Sequence, residues 1–200
     1  MGDRTQRAVI WAALLFFAFQ AAGYAVPYVT GDPRDFDPLF RDKYTRHLGL
    51  IVVHGLTASL ALCLGPFQFW PWLRKLPRLH RWLGQAYLLA VVGAATTALP
   101  MALMAEGGAV SKLSFLALAL AWLATAWQAL RQARLRHFAA HRAWMVRNYG
   151  LTYGAVVFRL LLNGLQQAGL EFETIYPVLS WSGWLISLLT AELWLRKERA

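Results

Sequence analysis

The residues best equipped for chemistry in this sequence are histidines and arginines placed inside, or at the edge of, long apolar runs. His80 opens one such run and His141 another. Two imidazoles entering a helix bundle from facing helices can supply both axial ligands of a haem, and arginines can meet its propionates. Small side chains leave room for the macrocycle, and His80 is followed on its own helical face by Gly84, Tyr87, Ala94 and Ala98. His80 and His141 are therefore the candidate metal ligands, and haem b the candidate cofactor.

His54 lies ~10 Å deeper than His47 on the same side of one helix, seven residues further on at ~1.5 Å rise each. Ala58, Ala61 and Gly65 continue that side and permit close approach of a neighbour or a flat ligand. Met101 and Met104 end another run and could complete a copper site with His47 and His54, although thioethers near a membrane surface more often serve packing.

Arg147 and Arg159 are kept within a hydrophobic run, which is costly and marks a functional site by default. His141, Met145, Asn148, Thr152, Ala155 and Arg159 share one face at helical spacing, with Gly150 and Gly154 on the opposite face in a GxxxG pair. Arg159 is ~27 Å along the helix from His141, about the depth of His54, so the two could bind an anion or relay a proton. Arg147 is expected to snorkel or to pair with Glu192 near the end of the last run.

These residues need helices to position them, and composition supplies the setting. Of 200 residues 58% are hydrophobic and 15% charged, with a mean hydropathy of +0.40. The apolar residues pool into runs longer than the ~18 residues that separate membrane spans from buried helices. The sequence predicts an all-α, polytopic membrane bundle forming one integral membrane domain over residues 1–200. Its six spans fall at about 8–30, 47–72, 81–104, 112–131, 142–165 and 175–195. The first run is too long for a signal-peptide core of ~7–15 residues and reads as an uncleaved span. Pro66 and Pro71 are expected to break the second helix, beside Trp70 and Trp72 suited to an interfacial belt.

A formal net charge of +10 would suggest nucleic acid in a soluble protein. Here Arg74, Lys75, Arg78 and Arg81 form one connection without an acid, and Arg131, Arg134, Arg136 and Arg142 form another. The intervening connections are neutral or acidic, which is the pattern of membrane orientation and places both termini in the cytoplasm. The lipid bilayer is thus the expected partner, and nucleic acid is not. The single cysteine, Cys63, excludes an intrachain disulfide and a paired-cysteine zinc site, and reads as a small core residue. No P-loop, GxGxxG, HExxH or GxSxG is present. A short internal repeat stands out: Leu79-His80-Arg81-Trp82 precedes Tyr87, and Ala140-His141-Arg142-Ala143-Trp144 precedes Tyr149, consistent with two similar helix pairs.

The segments HGLTASLALCLGPFQFW, PRLHRWLGQAY and AHRAWMVRNYGLTYGAVVFRLLL resemble, in order, a bacterial family of predicted membrane proteins known as a domain of unknown function. The resemblance covers roughly His54 to Leu162. It implies that His54, the turn from Gly65 to Phe69, His80-Arg81, His141-Arg142, Trp144-Met145, Arg147 and Arg159 are signature positions, and that the protein resides in a bacterial inner membrane. It implies no activity. More distantly, the chain is similar to transmembrane b-type cytochromes and ferric reductases, which hold haem between histidines of a four-helix core. The third and fifth helices match that pattern through His80 and His141, whereas the fourth offers no histidine, so at most one bis-histidine haem fits. The expected function is a haem- or quinone-linked electron carrier. The alternatives are a small transporter or sensor using His54 and Arg159, and an assembly protein whose polar residues serve packing alone.

Overall fold

A computed structural model describes residues 3–198. The chain is all-helical among these residues. Its helices are α1 (Asp3–Gly23), α2 (Val26–Thr30), α3 (Arg41–Arg46), α4 (Leu48–Gln68), α5 (Pro71–Arg74), α6 (Pro77–Leu103), α7 (Gly108–Arg134), α8 (Phe138–Gln167) and α9 (Phe172–Lys197), with a 3-10 turn at Pro33–Asp35. The expected six long helices are α1, α4, α6, α7, α8 and α9, of 21 to 30 residues each. Five stretches are long and apolar enough to cross a membrane: Ala8–Thr30, Leu48–Gln68, Pro77–Leu103, Gly108–Arg134 and Phe172–Lys197. The longest helix, α8, is not among them, because its three arginines and two asparagines dilute its apolar character. Arg199, the last basic residue of the sequence, lies outside the described residues.

Helix ends differ from the apolar runs in instructive ways. The first run is divided at Tyr24–Ala25, where Pro27 cannot continue the hydrogen bonding of α1 and instead starts α2. Pro66 does not end α4, which continues to Gln68 and closes with Phe69 N–H donating to the Pro66 carbonyl at 3.1 Å. Pro71, by contrast, opens α5. Arg78, His80 and Arg81, expected in a connection, lie in the first turns of α6, and Arg131 and Arg134 lie in the last turn of α7. Hydropathy marks the part of a helix that dwells in lipid, while the helix itself extends into the polar margin.

The chain divides into two compact units, residues 1–90 and 91–200. In the first, Ser59 of α4 donates to the Ala22 carbonyl of α1 at 3.1 Å, and a Cβ on Gly55 would stand 3.2 Å from that of Ala25. Close contact of this kind is what small residues in membrane helices permit. Between α2 and α4, Tyr28, Phe36, Phe40 and Tyr44 form a ring cluster with centroids 5.2 to 5.4 Å apart. Asp32 in this connection accepts from the Arg34 side chain at 2.6 Å, and that guanidinium holds its carboxyl below the usual carboxylate range.

In the second unit α8 packs antiparallel on both α7 and α9, and its backbone approaches α9 closely. A Cβ on Gly154 would come within 2.8 Å of the Trp184 Cα, and one on Gly183 within 2.8 Å of the Phe158 Cβ. The GxxxG face therefore has the role its spacing suggested. Gly154→Ala is expected to lower stability by roughly 1–3 kcal/mol through overpacking, read as a reduced thermal midpoint in detergent. Gly164→Ala is the control: its methyl would meet nothing within 4 Å, so it should be neutral or stabilising by up to ~1 kcal/mol. Equal midpoints for wild type and Gly154→Ala would contradict this close packing.

Candidate functional site

The polar face of α8 is spent against α7. Asn148 is fully buried, and its amide donates to the Trp122 carbonyl at 2.9 Å and to the Thr125 hydroxyl at 2.8 Å. Trp122 Nε1 in turn donates to the Thr152 hydroxyl at 2.9 Å, and that hydroxyl donates to the Asn148 carbonyl at 2.9 Å. Thr125 returns its own proton to the Ala121 carbonyl at 2.8 Å. Every polar atom so buried needs a partner, and this closed network supplies them while fixing the register of α7 on α8.

His141 lies at the end of this seam. Its Nδ1 stands 2.8 Å from the Ala129 carbonyl of α7. A carbonyl can only accept, so Nδ1 carries the proton, and in the neutral ring Nε2 keeps its lone pair. The ring is half-buried, and Ala129, which holds it, is fully buried. Fixing one imidazole nitrogen on a backbone carbonyl is how proteins orient a histidine whose other nitrogen binds a metal.

The opposite side of α8 meets α9 through ions as well as glycines. Arg147 pairs with Glu192 through Nε and, at 3.1 Å, through a terminal nitrogen, so the expected partner is the one it has. The guanidinium also lies 4.8 Å from the Trp144 ring centroid. Arg142 forms a second fork with Glu198, 2.6 Å on one arm, and Trp194 Nε1 reaches the same carboxylate at 2.7 Å. The sequence marks Arg142 as the neighbour of His141 and a member of a basic connection, and names no partner for it; that partner sits at the end of the last helix.

Arg159 belongs to the other end of this unit. It is half-buried and donates to the Ala155 carbonyl of its own helix at 3.0 Å. Tyr176 packs among Phe158 at 5.5 Å, Phe172 at 4.6 Å and Phe115 at 6.1 Å. Nearby, Ser114 of α7 donates to the Ser180 carbonyl at 2.6 Å and accepts from Trp184 at 3.0 Å, which ties α7 to α9. Neither this tie nor the Trp122–Asn148 network was readable from spacing, because isolated serines, threonines and tryptophans in apolar runs carry no periodic signal.

His54 and His80 lie in the first unit, both half-buried. The small-residue side of α4 is buried at Ala61 and Gly65, and that of α6 at Tyr87 and Ala94. Gln68, at the end of α4, is buried with its carboxamide oxygen 3.1 Å from where a Gly84 Cβ would stand. His47, by contrast, is exposed between α3 and α4. Among the described residues no three His, Cys, Asp or Glu side chains gather as a metal site, and Cys63 is a free, half-buried thiol.

A family model described as a predicted membrane protein, DUF2306, matches residues 51–195. No curated protein and no solved structure matches the chain.

Arg147→Ala is expected to cost roughly 1–3 kcal/mol, between the values for exposed and fully buried pairs, because it strands the Glu192 carboxylate. Adding Glu192→Gln should recover most of that loss. The check is a double-mutant cycle on thermal or denaturant midpoints, and strictly additive losses would show that the pair contributes nothing.

Proposed function

The chain belongs to the DUF2306 family of predicted membrane proteins; from its own residues we propose that it binds haem b and carries electrons to or from a quinone or protein redox partner. The observation that supports this reading is the His141 imidazole, whose Nδ1 is held by the Ala129 carbonyl at 2.8 Å. That hydrogen bond selects the tautomer a haem iron requires, aligns the ring and raises the basicity of Nε2.

The residues beside it suit such a group. Ala129, whose carbonyl holds the ring, carries only a methyl side chain and is buried. Haem would supply a one-electron couple. The chain's own contribution is to hold the ligand: the Asn148–Trp122–Thr152 network fixes α8 against α7, so the carbonyl that orients His141 and the helix that bears it keep one register. The repeat of Leu79-His80-Arg81-Trp82 as Ala140-His141-Arg142-Ala143-Trp144 nominates His80 as second ligand. Alternation of basic and non-basic connections supports an orientation with both termini cytoplasmic, in the bacterial inner membrane that the sequence resemblance implies.

The purified protein from haem-replete cells should show a Soret band that sharpens with dithionite. His141→Ala and His80→Ala should each abolish or shift it, and His141→Met should move the band rather than erase it. His137→Ala should leave it unchanged, since that exposed ring is occupied with Gln132 at 3.1 Å. A colourless wild-type preparation sinks the reading.

A further inference from the structure

The turn from α7 to α8 is a tight reversal. Arg136 N–H donates to the Ala133 carbonyl at 3.1 Å and His137 N–H to the Gln132 carbonyl at 2.9 Å, which caps the end of α7. Such a cap needs one left-handed residue, and Arg136 fills the place at φ 59. Elsewhere among the described residues the positive-φ positions Gly31, Gly107, Gly108 and Gly169 are all glycine. Glycine takes that conformation without the steric cost an arginine bears, so Arg136 carries a backbone cost that glycine would avoid.

The charge around it is one-sided. The sequence holds no Asp or Glu from Gly107 to Leu170. The two carboxylates that α9 brings to this end, Glu192 and Glu198, are each closed by an arginine of α8. Arg131, Arg134, Arg136, Arg196 and Lys197 are exposed, and none makes an ion pair among the described residues. Exposed Trp127, Phe138 and Trp194 stand on the same helix ends, the side chains that seat a helix end at the level of lipid headgroups.

We propose that this end of the second unit is a binding surface for the phosphodiester headgroup of an anionic phospholipid, with Arg136 held in a left-handed turn to meet it. Guanidinium forks match phosphate oxygens in geometry as well as charge, and basic residues at the rim of a span draw anionic lipid. The surface does not depend on the haem reading and can be tested apart from it.

The test uses the full chain in phosphatidylcholine nanodiscs, titrated with phosphatidylglycerol and followed by thermal midpoint and by native mass spectrometry of retained lipid. Wild type should gain stability and retain phosphatidylglycerol over phosphatidylcholine. Arg136→Gly should match or exceed wild type in phosphatidylcholine alone, because the turn relaxes, yet bind phosphatidylglycerol about fivefold more weakly, the factor one such cation contributes. Three results would each overturn the proposal. The first is equal phosphatidylglycerol affinity in wild type and Arg136→Gly. The second is an Arg136→Gly protein less stable than wild type in phosphatidylcholine, since arginine then serves the turn itself. The third is equal stabilisation by inorganic phosphate, since the surface then takes a free anion and not a lipid.

Discussion

A helix that carries three arginines, a buried asparagine and a set of hydroxyls cannot turn them to lipid, where an unpartnered polar group has no water to meet. α8 is that helix, and the second unit is arranged around the need to satisfy it. Its two sides are met by different chemistry. α7 offers carbonyls, a threonine hydroxyl and an indole N–H to Asn148 and Thr152. α9 offers carboxylates to Arg142 and Arg147.

These ion pairs depend on how closely α8 and α9 approach. Steps up α8 from Arg142 through Arg147, Gly150 and Gly154 to Phe158 meet steps down α9 from Glu198 through Glu192, Ala191 and Trp184 to Gly183. One antiparallel register therefore serves charge at one end and backbone contact in the middle. At the far end aromatic rings from α7, α8 and α9 take over around Tyr176. A side chain larger than hydrogen at Gly154 would separate the helices where the glycines let them touch, and would move the carboxylates away from their arginines. Small residues and salt bridges here form one device, in which packing sets the distance at which electrostatics can operate.

Much of this was legible in the sequence, for a physical reason. Membrane-length apolar runs give helix number directly, and the 3.6-residue period separates the polar face of α8 from its glycine face. Glu192 could be named as the partner of Arg147 because a buried arginine demands an acid and few acids exist to choose from. Helix ends were less legible. Hydropathy ends a span at the first cluster of cations, whereas Arg78, His80, Arg81, Arg131 and Arg134 are all helical. The Trp122–Asn148–Thr152 network was out of reach as well, since a hydrogen bond across two helices depends on their rotation and register and not on spacing within either. The Arg142–Glu198 pair escaped for the same reason. The expected family was right; its distant likeness to cytochromes finds no counterpart among solved structures.

What distinguishes His141 from the other polar residues of α8 is how its chemistry is left. Asn148 and Thr152 use their donors within the seam, and Arg142 and Arg147 meet carboxylates; all of these complete the fold. His141 commits one nitrogen to a backbone carbonyl, which in the neutral ring leaves the lone pair on the other. A residue needed only to join α7 to α8 would serve as well with a single donor, as Trp122 does nearby. A neutral histidine adds a second, oriented lone pair at a half-buried position. That lone pair is what the proposed ligand role would use, and it is why the functional reading rests on this imidazole and not on the arginines that first marked the helix.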